Sequence, residues 1–312
     1  MMSKILVVGG GMMGIGIAAV ALHAGNQVSV VEPWEPAAHS LAGRIEAVTG
    51  ELLANGMITK AQAEHAGNVR LYSSLDRYPD QPDLVIEAIS EVLEEKQKLF
   101  ACLDQRFGPE IPLASNTSGL RITDIVRDVE YKERAMTTHF WFPAHLVPLV
   151  EVVMSQWTRR ELAETVCHML EAWGKAPVLV KKDLPGQLAN RIFQAVIREA
   201  AAIVEAGIAE PEDVDTAIKM GMGLRFPVWG PLEHVDAVGL ELCESVQNHV
   251  LPSISSSRQA ADIFRDKLEK GETGVQSGKG FYDWNERSMD ELQKLRNQFI
   301  MEAVKFLRGK RC

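Results

Sequence analysis

Over the first 180 residues, short runs of consecutive apolar residues alternate with longer stretches of helical periodicity. Residues 4–8 (KILVV) form a β-branched apolar run, which predicts a strand buried on both faces. Similar runs at 27–31 (QVSVV), 69–72, 83–88 (DLVIEA), 112–115, 135–139, 149–153 and 177–180 predict further strands. Helical patterns lie between them, at 15–23 (closed by Gly25), 36–53 (stopped at Asn55-Gly56), 93–107 and 160–173. Thr59-Lys60-Ala61-Gln62 has the form of a capping box and opens another helix. Strands alternating with helices predict an α/β, doubly wound sheet. The pattern changes at Asp183-Leu184-Pro185-Gly186. Beyond that break it is helical, with helices over 187–206 (closed by Gly207), 214–221 (opened by Glu210-Pro211-Glu212-Asp213) and 288–308, and a glycine-rich segment at 221–239. The expected organisation is a nucleotide-binding domain over 1–183 and a smaller all-α domain over 184–312.

The first predicted strand runs into Gly9-Gly10-Gly11-Met12-Met13-Gly14, a GxGxxG signature that opens a helix. Gly9 permits the tight turn, Gly11 lets the backbone approach a pyrophosphate, and Gly14 lets helix and strand pack closely. The helix N-terminus, at Met12 and Met13, faces the phosphates. Glu32 ends the second strand, 18 residues past Gly14, where a carboxylate accepts hydrogen bonds from the adenosine ribose and repels a 2′-phosphate. The expected cofactor is NAD rather than NADP, and no metal is expected.

In doubly wound sheets function gathers at the carboxyl ends of strands. Glu91, Ser118 and His139 each fall just after a predicted strand or at its end, as Glu32 does, whereas Glu87 lies inside a strand and is set aside. His139 and Glu151 sit on two strand-like runs separated by a Pro-punctuated loop. A His held by a carboxylate is a common acid/base arrangement, and beside a nicotinamide it points to alcohol oxidation or ketone reduction. Taken alone, a His between strands is more often a satisfied core residue.

A chain of 312 residues can bury a large core in two domains. Its net charge of −9 argues against general nucleic-acid or anionic-membrane binding, though it leaves room for a local basic pocket. Cys102, Cys167, Cys243 and Cys312 have no CxxC or framework spacing. With no signal peptide evident, they read as reduced thiols of a cytoplasmic protein. The longest apolar stretch, near residues 15–22, is too short to span a bilayer.

Taken together, GGGMMG, DLVIEAISE with Lys96 after it, SNTS, the HF…LVEVV block, DLPGQLANR, GPLEHVDAVGLE and SGKGFYDW resemble the L-3-hydroxyacyl-CoA dehydrogenase family over nearly the whole chain. The resemblance implies a Rossmann-type NAD domain, a helical dimerisation domain, a homodimer, an active site in the cleft between the domains, and a place in fatty acid metabolism. It implies that His139 is the catalytic base and Glu151 its orienting partner. It further implies that Ser118 and Asn190 contact substrate and that Glu91, Lys96, Ser118 and Lys279 approach the cofactor.

Three departures bear on the substrate. The family usually has Asn in an HFFNP-like motif, whereas this chain reads His139-Phe140-Trp141-Phe142-Pro143. The lysine-rich helix that meets CoA phosphates is here a region, 37–67, offering only Arg44 and Lys60. Gly221-Met222-Gly223-Leu224-Arg225 resembles the GxGxR pattern of relatives acting on free hydroxy acids, such as L-gulonate and carnitine dehydrogenases, and Arg225 would pair with a substrate carboxylate. His145, His234, Trp141 and Trp229 are candidates for pocket walls or plain packing. The sequence favours a 3-hydroxyacyl-CoA dehydrogenase that interconverts 3-hydroxy and 3-keto groups. The same chemistry on a free 3-hydroxy carboxylate anchored by Arg225 stands as the alternative, and a non-catalytic NAD-binding protein as the remote one.

Overall fold

The computed structural model describes residues 2–309. The chain divides into two compact units between Ala189 and Asn190.

The first unit is built on one eight-stranded sheet: β1 (Lys4–Val8), β2 (Gln27–Val31), β3 (Arg70–Tyr72), β4 (Leu84–Glu87), β5 (Leu113–Ser115), β6 (Ala135–Phe140), β7 (Leu149–Met154) and β8 (Ala176–Val180). Their order is β3-β2-β1-β4-β5-β6-β7-β8, parallel except at β6–β7. The sheet is doubly wound, as the alternating pattern predicts. Successive residues of β1 explain why both faces are covered. Ile5 and Val7 join a core with helices α1 (Met12–His23), α2 (Glu35–Ala54) and α6 (Arg160–Ala172). Leu6 and Val8 join the opposite core, with α4 (Leu93–Arg106) and α5 (Ile122–Ile125). Side chains two apart share a face, so a run apolar at every position must be buried twice. The capping box at Thr59 forms, but it opens only a four-residue helix, α3 (Lys60–Ala63), which passes into a 3-10 turn.

The strand order reverses direction at β1/β4. That is the topological switch point, where the carboxyl ends of neighbouring strands diverge and a crevice opens. Connections need not cross there, so the glycine-rich turn after β1 is free to face a ligand.

The second unit is helical: α7 (Ala189–Glu205, which begins one residue before the division), α8 (Pro211–Ala217), α9 (Pro231–Val238), α10 (Leu240–Val250), α11 (Asp262–Glu269) and α12 (Met289–Gly309). A π-helical turn, Ile218–Met222, follows α8 and delivers the chain to Arg225. Cys102, Cys167 and Cys243 are free thiols, and Cys312 lies outside the described residues. No described helix is long and apolar enough to cross a membrane.

Candidate active site

Two clusters gather at the carboxyl ends of the strands. The first is the β1–α1 turn. A Cβ on Gly9 would lie 2.5 Å from the Ala88 carbonyl oxygen, and one on Gly14 would lie 1.9 Å from that of Gly9, so neither position accepts a side chain. Gly11 is different: a Cβ there meets nothing within 4 Å, and the backbone flanks open space. Helix α1 has no acidic residue in its first turn and no side-chain cap. Its first amides, at Met12 and Met13, therefore have no intrahelical partner and suit a pyrophosphate. The buried Glu32 carboxylate accepts from Gly10 N at 2.7 Å through Oε2 and from Trp34 N at 2.8 Å through Oε1. Each oxygen retains a lone pair for a ribose hydroxyl. The donor set and the space both suit NAD.

The second cluster joins β6 and β7. In this antiparallel pair His139 and Glu151 are cross-strand partners, and His139 Nδ1 lies 2.7 Å from Glu151 Oε2. Direct partners in an antiparallel ladder project on the same side, which is why two residues twelve apart meet. Glu151 is fully buried and accepts three further bonds: from Trp141 Nε1 to Oε2 at 3.0 Å, and from the Leu188 and Ala189 amides to Oε1 at 2.8 and 2.9 Å. Those amides come from the turn ahead of α7, where Gly186 and Gln187 both have positive φ, of 77° and 54°. Successive amides turned this way form an anion-binding concavity. Burial alone pushes the Glu151 carboxyl up, but the bonds from His139, Trp141, Ala189 and Leu188 outweigh it and hold the group at about 2. Glu151 is thus a fixed carboxylate, and the Nδ1 bond leaves His139 Nε2 open for chemistry.

Ser118 is exposed in the turn after β5. Its backbone N, that of Gly119 and the Thr117 hydroxyl all bond to Glu91 Oε1, at 3.1, 3.0 and 2.5 Å. Those bonds and the charge of Lys96 outweigh burial and lower the Glu91 carboxyl below its ordinary range. Lys96, expected near the cofactor, is 1% exposed. Its Nζ lies 2.5 Å from Glu87 Oε1 and 3.4 Å from Glu91 Oε2. Glu87 also accepts from the Ser115 hydroxyl at 2.6 Å and from Ile89 N at 2.7 Å. The sequence reading passed over Glu87 because it lies within a strand. A carboxylate in an otherwise apolar buried run needs a partner, and Lys96 nine residues later was the available signal. Trp141, on sequence a candidate for a pocket wall or plain packing, sends its indole N–H to Glu151.

Asn190, Arg225 and Lys279 lie in the second unit. Asn190 is in the first turn of α7, and its Oδ1 accepts from Gln194 at 3.4 Å. Lys279 pairs with Glu272 at 3.1 Å. Arg225 is exposed, and its guanidinium makes no hydrogen bond or ion pair with the described residues. His145 lies 3.8 Å from Glu51, and burial, with Lys175 and His23, pushes its ring down to about 4. His234 meets Trp229 edge-on, with ring centroids 5.6 Å apart.

Comparison with known proteins agrees with this architecture. Residues 4–184 match the NAD-binding domain of 3-hydroxyacyl-CoA dehydrogenase, and residues 186–284 match its C-terminal domain. A Mesorhizobium japonicum protein named 5-formyl-3-hydroxy-2-methylpyridine 4-carboxylate 5-dehydrogenase is 30% identical, over 99% of this chain and all of its own. A solved structure of a dehydrogenase of that name, described as an NAD+-dependent dismutase, superposes with a TM-score of 0.90 at 30% identity, covering 99% of this chain and 100% of the other. A probable 3-hydroxybutyryl-CoA dehydrogenase of Bacillus subtilis is 34% identical, over 91% of this chain and 98% of its own. The (S)-3-hydroxybutyryl-CoA dehydrogenase of Ralstonia eutropha superposes with a TM-score of 0.75 at 28% identity, over 91% and 99% of the two chains. With both domain models matched in order, the chain belongs to the 3-hydroxyacyl-CoA dehydrogenase family of NAD-dependent oxidoreductases.

Proposed function

We propose that this enzyme interconverts a hydroxyl and a carbonyl group on a small free carboxylate, with His139 as general acid/base, Glu151 as its orienting partner and Arg225 as the carboxylate anchor. The carrying observation is the buried His139–Glu151 bond of 2.7 Å at the end of β6. Bound NAD supplies the hydride acceptor. His139 Nε2 takes the hydroxyl proton in oxidation and returns it in reduction. Glu151 fixes the tautomer through Nδ1–H and offsets the charge of the imidazolium. Ser118, with its hydroxyl exposed, and Asn190 are the hydrogen-bonding candidates for the substrate oxygens. The domain roles follow from this assignment: cofactor on residues 1–183, substrate recognition and dimerisation on 184–312.

The sequence alone ranks the acyl-CoA substrate first, and three observations favour the free carboxylate instead. Among the described residues the Arg225 guanidinium has no hydrogen-bond or ion-pair partner. In α2, where CoA phosphates would need cations, Arg44 is directed to the Gly10 carbonyl at 3.4 Å. A relative matched over 99% of this chain and all of its own bears a free carboxylate in its substrate's name. The thioester reading keeps support from the 3-hydroxybutyryl-CoA relatives. A homodimer is supported by α12, whose Met301 and Val304 are buried while Leu292, Leu295, Phe299 and Phe306 remain exposed on its opposite side.

The test is NADH formation by the wild type and His139→Gln on free hydroxy carboxylates and on 3-hydroxyacyl-CoA thioesters. We expect turnover on the free acids and a loss of roughly a hundredfold or more in the variant, with NAD affinity nearly intact. Near-normal turnover by His139→Gln would refute the acid/base assignment, and turnover of thioesters alone would refute the substrate class.

A further inference from the structure

Four donors converge on the buried Glu151 carboxylate, and two of them, His139 Nδ1 and Trp141 Nε1, share the single oxygen Oε2 at 2.7 and 3.0 Å. We propose that Trp141 is a positioning residue for the His139–Glu151 pair, whose indole N–H takes a share of that oxygen and so sets how strongly it holds the histidine ring. The inference rests on the acid/base reading above and adds a residue to it.

The geometry separates this role from packing. Trp141 is only half-buried, and its ring lies tilted at 53° to that of His139, with centroids 5.7 Å apart, so neither stacks on the other. What joins them is the shared acceptor. An indole is a donor only and cannot reverse the bond. A carboxylate oxygen that receives a second N–H has part of its charge answered already, and a low-dielectric site magnifies the effect. The two Oε1 donors are backbone amides and belong to the fold, whereas the indole that shares Oε2 with His139 is a side-chain donor that one substitution removes.

Of the other titratable groups near the end of β6, the glutamates and lysines have partners of their own, and burial holds His145 uncharged near neutral pH. Beyond β5, Glu91 is bonded to Thr117, Ser118 and Gly119, with Lys96 between it and Glu87. In the loop after β6, His145 is directed to Glu51, and the Lys175 ammonium bonds to the Ala144 and Val147 carbonyls. The turn ahead of α7 contributes amides only. The direct charge partner of His139 is Glu151.

Trp141→Phe keeps the ring and removes the donor. With one bond fewer, Oε2 holds the His139 proton more tightly. The acid limb of kcat/KM for alcohol oxidation should move to higher pH by about half a unit or more. We expect kcat at neutral pH to fall by roughly threefold to tenfold while KM changes little. The same shift should appear without substrate, in the NMR titration of the imidazole signal that disappears in His139→Gln. A thermal melt checks that the variant is folded, and Trp141→Leu repeats the titration with a different shape. Unmoved titration midpoints in both folded variants would overturn the proposal and leave Trp141 as a packing residue. If instead His139→Gln retained full activity, the acid/base reading would fail, and the NMR shift would still decide whether Trp141 acts on the pair.

Discussion

The two units of this chain bury their apolar residues very differently. In the first, the strands and the helices on both faces form cores whose members are nearly all inaccessible, among them Ile17, Leu22, Leu41, Ile45 and Phe100. In the second, the buried apolar residues among those described are Ala201, Met301 and Val304, each 5% exposed. Leu224, Val228, Leu232, Leu240 and Leu295 are more than half exposed. The second unit leaves much more apolar area exposed than the first, as the proposed homodimer requires. The proposed chemistry divides the same way: the His139–Glu151 pair and the glycine-rich turn stand on the sheet, and Arg225, whose guanidinium has no partner among the described residues, stands on the unit with the thinner core.

The largest effect expected would break this contrast outright. Phe100→Ala empties a site with no exposed surface and should lower unfolding free energy by about 3–5 kcal/mol at any protein concentration. If the chain forms the proposed homodimer through the exposed side of α12, Phe299→Asp should change the sedimenting species from dimer to monomer and make the remaining melt independent of concentration. If Phe299→Asp sediments as the wild type does, the exposed face is not the dimer interface.

The same contrast explains what the sequence disclosed. Strands covered on both faces are apolar at most positions, so β1, β2, β4 and β7 stand out in one dimension, and their observed limits fall within a residue or two of the expected ones. The glycine signature is legible because its spacing is local. The His139–Glu151 pair is half legible: both residues are visible, but the register that joins them depends on β6 and β7 being antiparallel, a non-local fact. Glu87–Lys96 and Trp141–Glu151 are side-chain contacts whose partners no periodicity identifies. In the helical unit, amphipathic periodicity locates α7 and α12, but a pattern cannot say whether an apolar face meets its own chain or another.

The next effect sharpens the division of chemistry. If Arg225 anchors a free carboxylate, Arg225→Met should cost roughly 2–4 kcal/mol in transition-state binding, a fall of about thirty- to a thousandfold in kcat/KM. NAD affinity, assigned to the first unit, should be unchanged. Thioester substrates, which have no carboxylate at the acyl end, should lose little. Equal losses on both substrate classes would remove Arg225 as the specificity determinant and restore the acyl-CoA reading to first place.

The smallest effect concerns the first unit alone. Glu32 is buried with both oxygens bonded to backbone amides, so it cannot swing away from a ribose 2′-phosphate. The resulting like-charge contact should favour NAD over NADP by something on the order of tenfold or more. A cation is already nearby, because Arg44 reaches the carbonyl of Gly10, whose amide bonds to Glu32. Neutralising the carboxylate should therefore do more than end a repulsion. In Glu32→Gln the amide still accepts from one of the two backbone groups, and Arg44 is free to pair with the phosphate. NADP affinity should then rise toward that of NAD. Adding Arg44→Met should remove the gain while leaving NAD binding nearly constant, since NAD presents no 2′-phosphate to lose. Titrating both dinucleotides against the three proteins by tryptophan fluorescence measures each step. Equal affinity of the wild type for both cofactors, or an NADP gain that survives Arg44→Met, would show that discrimination resides elsewhere than at the end of β2.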